Sequence, residues 1–313
     1  MLVSITGGSG FIGRKLVERH LAQGDAVRIL SRREPHEISL PREVAVFRAD
    51  LTDGAAALRE FVEGADVLYH CAGEIRDPSR MRPLHVEGTR NLLQAAESRI
   101  GRWVQLSSVG VYGPQREGIV TERTAPNPVG EYEITKTESD REVMETAERR
   151  KISYAVLRPS NVYGAGMSNR YLHQMTAMIK QGLFFFIGKP GASANYIHVD
   201  NVVKALRLCG QAPAADGRVY NLSDDVPLER FAAIIAEALG KPAPRLRVPE
   251  ALARWPANTA ARLGLRLPLT PARIDALTIR ATYSSERIMK ELAYVHEVSM
   301  RDGLRRFVAE SGA

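Results

Sequence analysis

The 313-residue chain has only two cysteines, Cys71 and Cys209, which are too few for a disulfide framework and indicate a reducing compartment. It has no apolar run long enough to cross a membrane. We expect no signal peptide before the first apolar segment, and no lysine- and arginine-rich block accompanies the net charge of +7. We therefore expect a cytoplasmic protein that binds small, phosphate-bearing molecules and no nucleic acid.

A glycine-rich motif is the first informative feature that is present. Thr6-Gly7-Gly8-Ser9-Gly10-Phe11-Ile12-Gly13 follows the apolar run Leu2–Ile5 directly. A strand that ends in glycines and turns at once into a helix offers backbone N–H groups to a pyrophosphate. Gly7 would allow the tight turn, Gly10 would let phosphates approach the main chain, and Gly13 would let the helix lie close to the strand.

Apolar strand patterns alternate with helical patterns through the first half, which is typical of a parallel sheet with helices on both faces. We predict an α/β, Rossmann-type doubly wound parallel sheet with a smaller, mostly helical C-terminal substrate domain. The predicted dinucleotide domain is 1–157 with return segments at about 196–222, and the predicted substrate domain is 158–195 and 223–313. The predicted strands are Leu2–Thr6, Ala26–Leu30, Val44–Arg48, Val67–Cys71, Arg102–Ser107 and Tyr154–Leu157, with Tyr196–Val203 and Arg218–Leu222 returning to the sheet. The predicted helices include Gly10–Gln23, Ala55–Val62, His85–Ser98 and Tyr132–Arg149.

A second motif is Tyr132-Glu133-Ile134-Thr135-Lys136. Residues i and i+4 of a helix share one face, so a phenol and an ammonium would be presented together. A nearby positive charge favours phenolate and lowers the tyrosine pKa from about 10. Tyr132 could then act as the general acid or base for a hydroxyl/ketone pair, although a surface helix with a stray tyrosine is the plainer alternative.

A third motif, Ser107-Ser108-Val109-Gly110-Val111-Tyr112-Gly113, ends an apolar strand. A serine hydroxyl at the carboxyl edge of a parallel sheet faces the crevice where ligands bind. The alternative role is a turn or a helix cap.

With these three motifs in this order, the chain resembles the extended short-chain dehydrogenase/reductase superfamily, in its NAD-dependent epimerase/dehydratase group. The resemblance covers nearly the whole chain. Further segments that carry it are Ala49-Asp50-Leu51, His70-Cys71-Ala72-Gly73, Gly88-Thr89-Arg90-Asn91-Leu92-Leu93, Leu157-Arg158-Pro159-Ser160-Asn161-Val162-Tyr163-Gly164 and Ile197-His198-Val199-Asp200-Asn201-Val202.

The resemblance implies roles for particular residues. Tyr132 would be the catalytic acid/base, Lys136 would tune it and hold the nicotinamide ribose, and Ser108 would hydrogen-bond the reacting oxygen. It also implies a homodimer that pairs two helices of each subunit, for which His85–Ser98 and Tyr132–Arg149 are the candidates. The implied cofactor site consists of Gly7, Gly10, Phe11, Ile12 and Gly13 at the pyrophosphate, Asp50 and Leu51 at the adenine, Ala72, Gly73 and Lys136 along the cofactor, and Pro159 and Val162 at the nicotinamide.

The end of the second strand bears on the choice of cofactor. Family members that prefer NAD place an acidic residue there to hold the ribose hydroxyls. This chain has Ser31 at that place, followed by Arg32 and Arg33. A guanidinium matches a phosphate, so we expect these arginines to accept the 2′-phosphate of NADP. A solvated pair of surface arginines is the alternative.

Two histidines need separate interpretation. His85 stands where many relatives have asparagine, and a hydrogen-bonded packing residue is the simpler interpretation than a catalytic group. His198 and Asp200 resemble a metal-ligand pair, but no third or fourth ligand accompanies them, so we expect no metal.

The expected function is that of an NAD(P)-dependent oxidoreductase or epimerase at a secondary hydroxyl or ketone carbon. A nucleotide sugar is the first substrate considered, as for a 4-epimerase or a 4-keto reductase. Sugar-nucleotide members commonly carry an arginine just before the His-Val-Asp segment, and Ala192–Tyr196 has none, although Lys189, Arg170 or C-terminal arginines could substitute.

The alternative is an NADPH-dependent ketoreductase or dehydrogenase for a steroid, isoprenoid or flavonoid type of substrate. The missing arginine and the apolar run Leu183–Ile187 favour it. That run could also touch a membrane surface, but we favour a buried strand or a substrate wall. A non-catalytic NADP-sensing regulator is a minor alternative, because relatives of that kind lack the Tyr/Lys pair that this chain has.

Overall fold

The computed structural model of the chain describes residues 1–167, 170–262 and 269–310. The predicted substrate domain also includes 168–169, 263–268 and 311–313, which lie outside the described residues. The strands are β1 (Leu2–Thr6), β2 (Ala26–Ser31), β3 (Ala45–Arg48), β4 (Ala65–His70), β5 (Ile100–Leu106), β6 (Glu117–Val120), β7 (Ser153–Pro159), β8 (Asn161–Tyr163), β9 (Phe186–Ile187), β10 (Ser193–His198), β11 (Arg218–Leu222), β12 (Asp224–Pro227), β13 (Arg247–Val248) and β14 (Arg280–Tyr283). The helices are α1 (Phe11–Leu21), α2 (Ala55–Val62), α3 (Pro78–Arg82), α4 (Gly88–Ala96), α5 (Glu131–Arg150), α6 (Arg170–Lys180), α7 (Val199–Gln211), α8 (Leu228–Ala238), α9 (Glu250–Arg262), α10 (Pro271–Thr278), α11 (Glu286–Leu292) and α12 (Met300–Glu310).

The main sheet has seven parallel strands in the order β11-β7-β5-β4-β1-β2-β3. Its central strands are buried on both faces, which explains their nearly continuous apolar sequences. The predicted Rossmann-type parallel sheet is therefore confirmed. Strand order reverses between β1 and β4, and ligands of such sheets bind at the carboxyl ends of the strands beside that point.

Several of the predicted strands and helices agree closely with the structure. Leu2–Thr6 and Ala55–Val62 have the predicted bounds, and Arg218–Leu222 returns to the main sheet beside β7. The prediction that Tyr196–Val203 returns to the main sheet is wrong, because β10 pairs with β8 and β12 in a separate three-stranded sheet. Helix α7 then begins at Val199, because the His198 ring accepts a hydrogen bond from the backbone N–H of Asp200 and caps it.

The bounds of the predicted helix His85–Ser98 also differ from those of α4 in the structure. A π-helical turn over Pro83–Glu87 precedes α4, which ends at Ala96. π-Helical turns are rare and often lie at functional sites.

A second apolar core lies outside the main sheet. Phe231 and Ile235 of α8 pack with Leu304 and Phe307 of α12 and with Leu172 of α6. This core includes short sheets as well as helices, and the predicted division into two domains stays a prediction. Among the described residues, no helix has the length and apolar character needed to span a bilayer.

A buried contact between Tyr69 of β4 and Gly210 of α7 allows a test of the packing. Tyr69 is fully buried, and its hydroxyl finds no hydrogen-bond partner among the described residues. A Cβ at position 210 would lie 2.2 Å from that hydroxyl. We expect Gly210→Ala to lower the free energy of unfolding by about 1–3 kcal/mol through overpacking.

Tyr69→Phe removes an unpaired buried hydroxyl, so by itself it is expected to be neutral or stabilising. In the double variant, Gly210→Ala with Tyr69→Phe, the hydroxyl oxygen nearest to the new Cβ is absent. Part of the lost free energy of unfolding should therefore be recovered. Urea unfolding of the four proteins measures this coupling. An equal cost of Gly210→Ala in both backgrounds would show that the hydroxyl is not responsible.

Candidate active site

The glycine turn after β1 is packed too closely for side chains at two positions. Gly7 has a φ of +69°, and a Cβ there would lie 2.8 Å from the backbone N of Ala72, just beyond β4. A Cβ on Gly13 would lie 2.1 Å from the carbonyl oxygen of Gly7. The turn therefore brings the end of β1, the start of α1 and the end of β4 together.

The N-terminus of α1 opens onto this turn. Gly10 is its N-cap and no side chain caps the helix, whereas Thr270 caps α10 with its own hydroxyl. Phe11 and Ile12 form its first turn together with Gly13. Uncapped N–H groups at the positive end of a helix, with glycines in front of them, fit a pyrophosphate. These residues could hold the diphosphate of a dinucleotide.

The residues expected at the adenine end meet beyond β2. Arg32 is 57% exposed, and its Nη1 lies 3.5 Å from Oδ2 of Asp50. Ser31 is buried, and its Oγ accepts a hydrogen bond from the backbone N of Arg33 at 3.1 Å. The carbonyl oxygen of Leu51 accepts from the Asn91 amide at 2.9 Å. The structure thus provides an exposed guanidinium beside the Asp50–Leu51 turn.

Ser108 and Tyr132 lie together at the carboxyl edge of the main sheet. Ser108 follows β5 and caps the 3₁₀ turn Val109–Tyr112, its Oγ accepting from the N–H of Gly110 at 3.0 Å. Burial raises the pKa of Tyr132 to about 12, and the charge of Glu133 also raises it. A hydrogen bond with Ser108 acts in the opposite direction and lowers the pKa of Tyr132.

Lys136 does not have the effect on Tyr132 that the sequence suggests. Its side chain is buried, and Nζ donates to the carbonyl oxygen of Leu106 at 2.6 Å. The expected lowering of the Tyr132 pKa by Lys136 is wrong for this structure, because burial dominates. Burial also lowers the pKa of Lys136, and the charge of Asp140 opposes that shift.

Sequence reasoning missed the buried polar group behind Lys136. Asp140 follows Lys136 by one helical turn, and its Oδ2 accepts from Ser107 Oγ at 2.7 Å and from Arg158 Nε at 3.1 Å. Arg158 Nη2 forms an ion pair with the same oxygen, also at 3.1 Å. Arg158 Nη1 donates to the Tyr112 hydroxyl at 3.1 Å. The available signals were an acid four residues after Lys136 and an arginine directly before Pro159. This cluster joins α5 to the ends of β5 and β7.

Pro159 and Val162 follow this cluster along the chain. Pro159 ends β7 and pairs with Leu222 of β11, so it lies at the carboxyl edge of the main sheet. Val162 lies in β8, opposite Ile197 of β10, and packs against the main core.

His85 connects the loop after β4 to helix α5. It is 1% exposed, and its Nε2 accepts from the backbone N of Glu74 at 2.9 Å. Nδ1 must then carry the proton and donate to Thr135 Oγ1, 2.8 Å away. The ring lies edge-on to Tyr132 at 5.7 Å, and a Cβ on Gly73 would lie 3.4 Å from Nε2. His85 is thus a hydrogen-bonded packing residue between the two halves of the site.

Helix α5, which with α4 is expected at a dimer interface, forms ion pairs with α3 and α4. Arg82 pairs with Glu138 at 2.6 Å, and Arg90 pairs with Glu142 at 2.5 Å. The homodimer stays a prediction. The roles of the predicted site residues, including Lys136, Pro159 and Val162, likewise stay predictions.

Comparison with known proteins adds an independent finding. The model of the NAD dependent epimerase/dehydratase family matches residues 3–223. The 4-hydroxy-2-methyl-3-oxo-4-farnesyl-3,4-dihydroquinoline-1-oxide ketoreductase of Stigmatella aurantiaca is 28% identical, over 97% of this chain and 95% of its own. The 2-alkyl-3-oxoalkanoate reductase of Stenotrophomonas maltophilia is 27% identical over 100% of both. The structure of UDP-glucose 4-epimerase from Thermotoga maritima has a TM-score of 0.76 at 20% identity, covering 99% and 98% of the two chains, and shows the same fold.

The burial of His85 predicts a specific pH dependence of stability. Burial, and next the charge of Lys136, lower its pKa from 6.5 to about 3. As the pH falls below about 6.5, His85 therefore binds a proton in the unfolded chain and not in the folded chain. The free energy of unfolding decreases as a result. His85→Asn should reduce this slope by about 1.4 kcal/mol per pH unit.

Urea unfolding at several pH values between about 7 and about 5 measures the slope. The exposed His36, changed to asparagine, is the matched control for loss of a histidine. Equal slopes for wild type and His85→Asn would contradict the buried, neutral imidazole.

Proposed function

The chain belongs to the NAD dependent epimerase/dehydratase family, and on that premise we propose that it is an NADP-dependent ketoreductase or dehydrogenase for a hydrophobic substrate. It is an enzyme of the oxidoreductase and epimerase type, so the non-catalytic regulator is set aside. The observation that carries the proposal is that Ser108, after β5, lies near enough to Tyr132 to lower its pKa, in a sheet whose first strand ends in an uncapped glycine turn.

The residues of the site suit proton transfer to a carbonyl oxygen. When bound, the nicotinamide cofactor supplies the hydride or accepts it. Tyr132 would donate its phenolic proton to the oxygen as a ketone is reduced, and take it back in the reverse direction. Ser108 would hydrogen-bond the same oxygen and hold it toward Tyr132. Lys136 would contribute positive charge and a donor next to the ribose.

Two observations support a hydrophobic substrate. Both curated relatives described above are named as reductases of oxo compounds with alkyl or farnesyl groups. In β10, where an arginine was sought, the chain has the neutral Asn195. Its side chain is 8% exposed and donates to the carbonyl oxygen of Ala281 at 2.9 Å, so it is not available to a diphosphate. Phe184 and Phe186 of the apolar run are buried in the second core, whereas Leu183 at its start is exposed, so the run is buried only in part.

One observation favours a nucleotide sugar as the second candidate. Arg280, at the start of β14, donates from Nη2 to the carbonyl oxygens of Lys189 and Pro190, each at 2.9 Å. The neighbouring Ser193 N–H bonds to the carbonyl of Ile279. A guanidinium held by carbonyl groups beside β10 could replace the absent arginine and bind a diphosphate.

Consumption of NADPH by the purified protein separates these candidates. We expect turnover with 2-alkyl-3-oxo esters or alicyclic ketones, and none with 4-keto sugar nucleotides. Turnover only with 4-keto sugar nucleotides, or interconversion of UDP-sugars without consumption of cofactor, would replace the first candidate by the second. Tyr132→Phe should lose about 10²–10⁴-fold in kcat, because the proton donor is gone, and keep its affinity for NADPH.

Tyr171→Phe, a change in an exposed ring on α6, is the matched control and should retain full turnover. Unchanged kcat in Tyr132→Phe would remove Tyr132 from the reaction. Loss of NADPH binding in the same variant would instead indicate a structural role.

The NADP preference is a separate proposal that rests on Arg32. Arg32→Ala should weaken NADPH binding about 10- to 100-fold, the usual effect of losing charge-assisted hydrogen bonds to a phosphate. NADH has no 2′-phosphate, so its dissociation constant should change little. Fluorescence titration of both cofactors measures the difference, with Arg48→Ala as the control, since Arg48 is exposed and paired with Glu34. Equal weakening of NADH and NADPH binding would overturn the assignment.

A further inference from the structure

Helix α9 buries small residues and exposes large apolar ones, which is the reverse of a typical surface helix. Its small residues Ala253 and Ala257 are buried against Ile187 and Ile274, with 5% and 3% exposure. Large apolar residues normally face the core and polar ones face water. The reversal leaves an outward apolar face that packing among the described residues does not explain.

This outward face presents its largest side chains to solvent. Leu252 is 68% exposed and Trp255 is 76% exposed. Pro256 and Thr259, on the same side, are exposed and carry no charge. The neighbouring charged residues of the helix, Arg254 and Glu250, are paired with each other, and Arg254 also pairs with Asp275.

Two further exposed leucines belong to the same part of the fold. Leu183 is 62% exposed and Leu246 is 65% exposed. They precede the paired strands β9 and β13, where Phe186 N–H bonds to the carbonyl of Leu246. Strand β13 leads directly into α9. We call Leu183, Leu246, Leu252 and Trp255 the α9 patch.

Positive residues precede the patch residues closely along the chain. Lys180, Lys241 and Arg245 are exposed, and no ion pair joins any of them to a carboxylate in the described part of the chain. The segment 238–249 contains no aspartate or glutamate. The nearest acid before it, Glu237, is occupied by arginines of α12. The patch therefore combines apolar side chains with uncompensated cations.

We propose that the α9 patch docks on the surface of a lipid bilayer that contains anionic lipids. Trp255 and Leu252 enter the headgroup region, where tryptophan is enriched, and Lys180, Lys241 and Arg245 contact lipid phosphates. A second copy of this chain fits less well. A twofold contact places the same patch on both sides, so these cations would face their own copies.

Co-sedimentation with vesicles tests the proposal on the full chain. We expect binding to vesicles of phosphatidylcholine with phosphatidylglycerol, weaker binding to phosphatidylcholine alone, and partial release by salt, because the cationic contribution is screened. Of the two tryptophans in the chain, Trp103 is fully buried, so a blue shift of fluorescence on binding reports Trp255.

Two paired variants separate the contributions of the patch. Leu252→Ser with Trp255→Ser should lower the vesicle partition coefficient at least about tenfold on both lipid mixtures. Lys241→Ala with Arg245→Ala should lower it mainly on the anionic mixture. Ile119→Ser with Val295→Ser, which removes exposed apolar side chains elsewhere, should leave it unchanged. All these side chains are exposed, so an unchanged melting temperature verifies the fold of each variant.

Several results would overturn the proposal. One is the absence of binding to either vesicle mixture, and another is equal binding of the Leu252→Ser/Trp255→Ser variant. A concentration-dependent dimer that this variant abolishes, without vesicle binding by the wild type, would assign the patch to a second copy instead.

Discussion

The buried contact between Asp140 and Arg158 holds the carboxyl edge of the main sheet to helix α5. Both side chains are almost fully buried, and one carboxylate oxygen receives Arg158 and Ser107 at once. Breaking such a pair leaves a buried charge without compensation, at a cost of about 3–5 kcal/mol. Because the pair ties α5 to β5 and β7, it determines where Lys136 and Tyr132 stand.

The site is assembled from two halves that meet where the strand order reverses. One half is the glycine turn between β1 and α1, whose close approach to β4 excludes side chains and leaves N–H groups free of side-chain caps. The other is the first turn of α5 with Ser108. His85 bridges them, because its two ring nitrogens bond to the loop after β4 and to α5. The relative placement of the glycine turn and of Tyr132 therefore depends on a few buried polar contacts.

The second half of the chain follows a different arrangement. Its core is built from α6, α8 and α12, while α9 buries alanines and exposes Leu252 and Trp255. Lys180, Lys241 and Arg245 of the same region form no ion pair with a carboxylate among the described residues. Catalysis and surface attachment, as proposed here, would thus use opposite properties of the molecule: buried charge near Lys136 and exposed apolar area on α9.

Features that depend on near neighbours could be predicted from the sequence. The alternation of strands and helices, the glycine turn and the bounds of β1 and α2 follow from local periodicity and backbone freedom, which short stretches of chain determine. The spacing of Tyr132 and Lys136 on one helix belongs to the same class. Only the tertiary structure decided the raised pKa of Tyr132, the Asp140–Arg158 pair, the helix starting at Val199 and the outward side of α9. Each of these depends on burial or on a partner far away in the chain, and periodicity carries no information about either.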